Sequence, residues 1–156
     1  MRLKVCDLKG RSSVASDFDG CNMIPAFSKD GKKIVYCVSR GDGSCQLYLY
    51  EKDNFRCLTH NAGNNVSPSL SDDGNTLYFC SDFQTGRPQI YAYDLNKNEL
   101  QKITDGGYCA SPRFCQKAQK LAYGKMVGNY MQLFLYDLKT KVHEQITFDV
   151  GHKEEY

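Results

Sequence analysis

Apolar and polar residues alternate in short runs along most of this chain, and the runs return at a fixed interval. In Gln89-Ile90-Tyr91-Ala92-Tyr93, Ile90 and Ala92 alternate with Gln89, Tyr91 and Tyr93. A period of two sends successive side chains to opposite faces of a β-sheet. The segment 67–71 is short and rich in small residues, as suits an inner strand in crowded surroundings. Asp72-Asp73-Gly74-Asn75 follows with hairpin chemistry, because Gly and Asn tolerate positive φ and Asp bonds its own turn backbone. Residues 76–80 then predict a second strand and 89–93 a third, after the turn Gly86-Arg87-Pro88. Leu95-Asn96-Lys97-Asn98 turns the chain once more into a fourth, outermost strand over 99–104. No window of comparable length carries helical periodicity, so the fold class is all-β.

The same four-strand unit is written three times. Pro25-Ala26-Phe27-Ser28-Lys29-Asp30-Gly31 returns as Pro68-Ser69-Leu70-Ser71-Asp72-Asp73-Gly74 and, worn, as Pro112-Arg113-Phe114-Cys115-Gln116-Lys117-Ala118. These prolines stand 43 and 44 residues apart. Gln46-Leu47-Tyr48, Gln89-Ile90-Tyr91 and Gln132-Leu133-Phe134 follow in step, each 43 residues after the last. Leu58-Thr59, Ile103-Thr104 and Ile146-Thr147 close the units. A period of roughly 40–45 residues with four strands per unit is the signature of β-propeller blades. The third copy lacks Asp-Gly, so its hairpin requires a different turn.

The repeat divides the chain into one propeller domain of unequal parts. Residues 17–59, 60–104 and 105–147 form repeats 1 to 3. Residues 3–10 resemble a third strand and its turn, with 11–16 as a poor fourth, so 1–16 read as a half blade. Residues 148–156 read as the start of a missing next blade. Three and a half units fall short of the typical four to eight blades. The expected architecture is therefore a partial ring, either a piece of a larger propeller or one that completes its ring with a second copy. Exposed blade faces and edges also make self-association a candidate behaviour.

Composition adds exclusions. With 41% hydrophobic and 24% charged residues, 156 residues are enough to bury a core. A net charge of +2, with Lys and Arg scattered, leaves no electrostatic footprint for nucleic acid. No apolar run is long enough for a membrane helix. The first residues lack the apolar stretch of a secretory signal, which would have to lie upstream.

Candidate chemistry is sparse. None of the eight cysteines forms Cys-x-x-Cys, and Cys109 and Cys115, the closest two, have no flanking His. Cys37 and Cys80 recur at one repeat position where the third unit has Gly124, which reads as small buried packing sites. Free thiols are expected, and the even count leaves an oxidised form open. His60, His143 and His152 have no pairing spacing. Asp17-Phe18-Asp19-Gly20 lacks the remaining ligands of a calcium loop and reads as a turn. There is no Gly-x-Ser-x-Gly elbow and no phosphate-binding Gly-Lys-Ser/Thr loop. No catalytic residue, metal site or cofactor is expected, and the chain reads as a non-enzyme.

The segments 25–31 and 68–74, the Gln-Leu/Ile-Tyr strands, the closing Leu/Ile-Thr pairs and above all Ser81-Asp82-Phe83-Gln84-Thr85-Gly86-Arg87-Pro88-Gln89-Ile90-Tyr91 resemble the WD-like repeats of the TolB propeller, over roughly residues 3 to 150. The resemblance implies a periplasmic six-bladed propeller of the bacterial Tol-Pal envelope system that binds the peptidoglycan-associated lipoprotein. It implies a scaffold for protein interaction. Similar repeats form the gating propellers of prolyl-oligopeptidase-like serine peptidases, which gives the alternative reading, with the catalytic domain outside this chain.

In a propeller, the loops from each outermost strand to the next innermost strand gather at one mouth of the central channel. Here they are 17–24, 60–67 and 105–111. The candidate partner-binding residues are Asn22, Met23, Asn64, Asn65, Val66, Tyr108 and Cys109, which hold corresponding places just before the inner strands. Asn offers adaptable hydrogen bonds and Tyr a rigid anchor. Asn64-Asn65 and Gly106-Gly107 also serve as plain turn residues, and both readings stay open.

Overall fold

The computed structural model describes residues 3–16, 18–39 and 41–148. Of the expected next-blade start over 148–156, residues 149–156, with His152, lie outside the described residues, as does Asp17. Among the described residues all regular structure is β. The first unit comprises β3 (Cys21–Phe27), β4 (Lys33–Ser39), β5 (Cys45–Glu51) and β6 (Asn54–Cys57). The second comprises β7 (Asn65–Leu70), β8 (Thr76–Ser81), β9 (Gln89–Asp94) and β10 (Glu99–Lys102). The third comprises β11 (Cys109–Cys115), β12 (Lys120–Val127), β13 (Tyr130–Asp137) and β14 (His143–Gln145). Each is a four-stranded antiparallel sheet with strands in chain order. Ahead of them β1 (Leu3–Cys6) and β2 (Ser12–Ser16) form a two-stranded antiparallel sheet. The first strands of neighbouring units meet, with β7 between β3 and β11. The sheets form part of a propeller and close no ring.

Period-two alternation drives the stacking. On β4, Val35 and Cys37 enter a cluster with Leu47, Leu49 and Leu58 that packs against Leu70, Leu77, Phe79 and Tyr91 of the second unit. The intervening Ile34, Tyr36 and Val38 face the other way and pack with Tyr48 and, from the two-stranded sheet, Val5. The pattern repeats one unit on. Tyr78, Cys80 and Ile90 meet Cys109, Leu121, Tyr123 and Tyr136 of the third unit. Burying one large apolar side chain contributes about 1.5–3 kcal/mol, so these inter-unit seams are the main source of cohesion. The Lys29–Asp72 ion pair across the first seam, at 3.0 Å, is largely exposed and adds at most about 1 kcal/mol.

The inner strands begin earlier than the sequence pattern indicates, and each is broken once. Ile24, Ser67 and Ser111 have φ of 52°, 55° and 55°, each immediately before a proline. Proline has no N–H for the ladder, and it disfavours the right-handed helical region in the residue before it. The ladder register shifts at these three places. The strand thus resumes upstream of the bulge and takes in residues read as loop.

The hairpins explain the Ser-x-Asp-Gly motif. Ser28 and Ser71 each donate a hydroxyl hydrogen bond to the Asp two residues on, and accept the N–H of Lys33 and Thr76. Gly31 and Gly74 sit at φ of 71° and 64°, where a Cβ is costly. In the third unit the turn slides by one residue. The left-handed position falls on Gln119, φ 52°, whose N–H bonds the Gln116 carbonyl at 3.2 Å.

Candidate functional site at the loops leading into the inner strands

The repeated Gln and Thr marks join the fourth strand to the third and launch the loop. Thr59, Thr104 and Thr147 each accept, through Oγ1, the N–H of Leu47, Ile90 and Leu133 at 2.9 Å. Thr104 and Thr147 also donate to Oε1 of Gln89 and Gln132, at 2.8 and 2.7 Å. The free end of the glutamine amide then holds the following loop. Gln46 Nε2 donates to the Asn61 carbonyl, and Gln89 Nε2 to the Gly107 carbonyl, both at 2.8 Å. A sequence motif with no apparent chemistry is therefore a loop anchor.

The loop over 60–65 is tied most tightly. Asn65 is fully buried, and its Nδ2 donates to the carbonyls of Cys45 and Gly63 at 3.0 Å, while its Oδ1 accepts the Ser81 hydroxyl at 2.8 Å. Asp82 accepts the Asn64 N–H at 2.7 Å and its side-chain amide at 3.3 Å. Gly63 lies against Phe83, where an added Cβ would come within 2.5 Å of the Phe83 Cβ. Only glycine fits that approach. Beside the loop, a cleft of about 510 Å³ is bordered by Asp42, Ser44, His60, Asn61 and Asn64.

The seven candidate residues separate by burial. Asn64 and Tyr108 are exposed, Tyr108 at 42%. Both lie just ahead of an inner strand. Asn22, Met23, Asn65, Val66 and Cys109 lie inside β3, β7 and β11 rather than before them, because the strands extend past the bulges. Asn22 is buried with its Nδ2 on the Phe18 carbonyl at 3.0 Å, and Cys109 is buried with its N–H on the Pro88 carbonyl at 2.8 Å. Met23 and Val66 pack on the inter-unit clusters. Those five position the loops, whereas Asn64 and Tyr108 present themselves to solvent. Sequence reasoning missed Gly63, Asp82 and the glutamine anchors. The spacing of Gln46 and Gln89 before their loops was the available signal.

Thiol chemistry is suppressed at the seams. Burial is the main cause that pushes Cys37 and Cys80 up to about 12, and it raises Cys109 as well. A thiol in that range carries almost no thiolate at neutral pH and is a poor nucleophile or metal ligand. Among the described residues no three His, Cys, Asp or Glu side chains gather in an arrangement that would hold a metal ion.

Four-stranded units stacked around their first strands, with anchored loops between them, define a segment of β-propeller. The chain belongs to the family of TolB β-propeller domains, whose family model matches residues 1–155. Among solved structures, TolB from Acinetobacter baumannii is similar with a TM-score of 0.80 and 24% identity, over 94% of this chain and 37% of that one. A protein assigned as TolB from Agrobacterium tumefaciens gives 0.75 and 23%, over 87% of this chain and 52% of that one. The β-propeller domain of the Trilobed protease from Pyrococcus furiosus, described as having an open velcro topology, gives 0.62 and 15%, over 80% and 42%. All three likenesses speak to the fold, and the chain spans between about a third and a half of these proteins' lengths. No curated protein sequence matches it.

Proposed function

We propose that this chain is a non-catalytic protein-interaction scaffold of the bacterial periplasm, within the Tol-Pal envelope system. It docks a peptidoglycan-associated lipoprotein on the loops that lead into its inner strands. The observation that carries the reading is the division of labour in those loops. Asn65, Gln46, Gln89 and Asp82 fix the loop backbones, while Tyr108 and Asn64 remain exposed on the fixed frame. Loops ordered before binding lose little conformational entropy on docking, and an exposed Tyr on a rigid support is a typical anchor. Membership of the TolB propeller family supports the same partner class. The alternative, a gating propeller for a serine peptidase, has only a distant likeness of fold in its favour.

Titration calorimetry of the chain with the purified soluble domain of a peptidoglycan-associated lipoprotein tests the reading. Saturable binding is expected, weakened at least roughly tenfold by Tyr108→Ala, the loss typical of an interface anchor. Binding that ignores Tyr108→Ala, or no binding by the unaltered chain, would sink it.

A further inference from the structure

The seam between the second and third units is open where the seam before it is narrow. Val35 and Leu49 pair across the first sheet, and Tyr78 and Ala92 hold the same two places 43 residues on. Leu49 is 3% exposed and packs in the cluster shared with Tyr91 and Leu95 of the next unit. The hollow beside it measures about 220 Å³. Ala92 removes most of that side chain and leaves a groove of about 550 Å³, walled by Ile103 and by Tyr136 and Leu138 of the third unit. The residues that form the groove all belong to strands and turns of these two described units. Thr76, Asp94 and Lys141 place it toward the hairpin end of the strands, away from the loops over 60–66 and 105–109.

Two tyrosines in this groove select its occupant. Tyr78 and Tyr136 are each 4% exposed, yet neither hydroxyl has a hydrogen-bonding partner among the described residues. Both open onto the groove they line. Buried polar groups are normally paired, so these two hydroxyls call for a donor or acceptor from outside. Their rings are fixed by stacking, Tyr78 on Phe114 at 4.9 Å and Tyr136 on His143 at 4.5 Å. Burial first, then Tyr136, pushes the Tyr78 pKa up to about 12, which keeps its hydroxyl protonated. Gln101, paired with Ala92 in the register, adds an exposed side-chain amide. The rim charges balance, Lys97 and Lys141 against Asp94 and Glu99. Neutral donor and acceptor groups around an apolar hollow, with no net charge at the rim, suit peptide amides and select against an ion. The hollow lies where the first unit has Leu49, so the side chain that fits it is aliphatic and leucine-sized.

We propose that this groove receives an extended peptide segment of a partner protein, with a leucine-sized side chain over Ala92 and its flanking amides on the hydroxyls of Tyr78 and Tyr136. The minimal probe is N-acetyl-leucinamide, an aliphatic side chain between two amides, titrated into the isotope-labelled chain and followed by backbone amide shifts. Saturable shifts centred on Tyr78, Ala92 and Gln101 are expected, with a dissociation constant on the order of millimolar for so small a ligand. N-acetyl-glycinamide, which lacks the side chain, should bind at least roughly tenfold more weakly. Ala92→Leu fills the hollow and should abolish the shifts. Should that variant fail to fold, Tyr78→Phe combined with Tyr136→Phe still decides. These hydroxyls have no protein partner to lose, so the thermal melt is expected to stay unchanged. The probe should then bind at least roughly fivefold more weakly, as for two hydrogen bonds of ordinary strength. The proposal is overturned by an absence of saturable shifts at the groove or by equal binding of the two probes. Full binding by the double tyrosine variant, or by a folded Ala92→Leu, overturns it as well.

Discussion

At the scale of single residues, Asn65 carries more of the loop geometry than any exposed side chain. Its amide holds two carbonyls and accepts one hydroxyl, with the Gly63 and Ser81 partners buried and the Cys45 carbonyl partly so. Asn65→Ala would strand those groups, each costing about 1–3 kcal/mol when buried unpaired. A loss of roughly 2–4 kcal/mol in urea unfolding is expected, large enough to reveal the network. His143 offers a separate, pH-dependent readout. Its ring stacks on Tyr136 at 4.5 Å, its Nδ1 lies 2.9 Å from the Tyr123 hydroxyl, and Lys125 is close by. Burial first, then Lys125, holds its pKa below the ordinary 6.5, against a backbone hydrogen bond with Ile103 that favours the charged form. The unfolded chain therefore takes up this proton near pH 6.5, while the folded chain does so only at lower pH. Stability is full above that value and falls as pH drops toward the folded pKa. Melting temperatures at pH 7.5 and pH 5 should differ by less in His143→Phe than in the unaltered chain. An identical pH dependence in the two proteins would remove His143 from the account. Asp30 and Asp73, held low chiefly by Ser28 and Ser71, act only below the carboxylate range and do not confuse this window.

At the scale of elements, most of the strand pattern was legible because the repeat supplies it three times. Thr76 to Cys80 and Gln89 to Tyr93 fall within strands that end one residue later. The inner strands were harder. Alternation stops at the prolines, and the left-handed residue before each proline leaves no mark in hydrophobicity, so Asn65 and Cys109 read as loop. The third hairpin shows how alignment and geometry part. Ala118 holds the place of Gly31 and Gly74 in the repeat, yet Gln119 holds the positive φ. Gln119→Gly should therefore stabilise the chain by up to about 1 kcal/mol, since glycine bears that conformation without a Cβ penalty. Ala118→Gly should be neutral or destabilising. Equal effects of the two changes, measured by chemical denaturation, would mean that the turn has not slipped.

At the scale of the molecule, composition and repeat sufficed for an all-β propeller segment, because a 43-residue period with four strands has few other solutions. The candidate surface was legible only in outline. Chain order locates the loops leading into the inner strands, but burial within them depends on tertiary contacts that no local pattern records. Asn22, Asn65 and Cys109 turned inward to hold the loops, and Tyr108 and Asn64 stayed outside. The anchors Gln46 and Gln89 were visible as repeats and took their meaning only from the carbonyls they meet. The account that results is a stack of units whose seams give stability and whose loops, fixed from beneath, form the surface proposed for docking.

Hydrogen exchange of the chain with and without the lipoprotein domain bears most directly on that docking surface. Slowed exchange confined to residues 60–66 and 105–109, with the outer strands β6 and β10 unchanged, is the predicted result. Protection on the outer strands, with both loops exchanging as in the free chain, would contradict it.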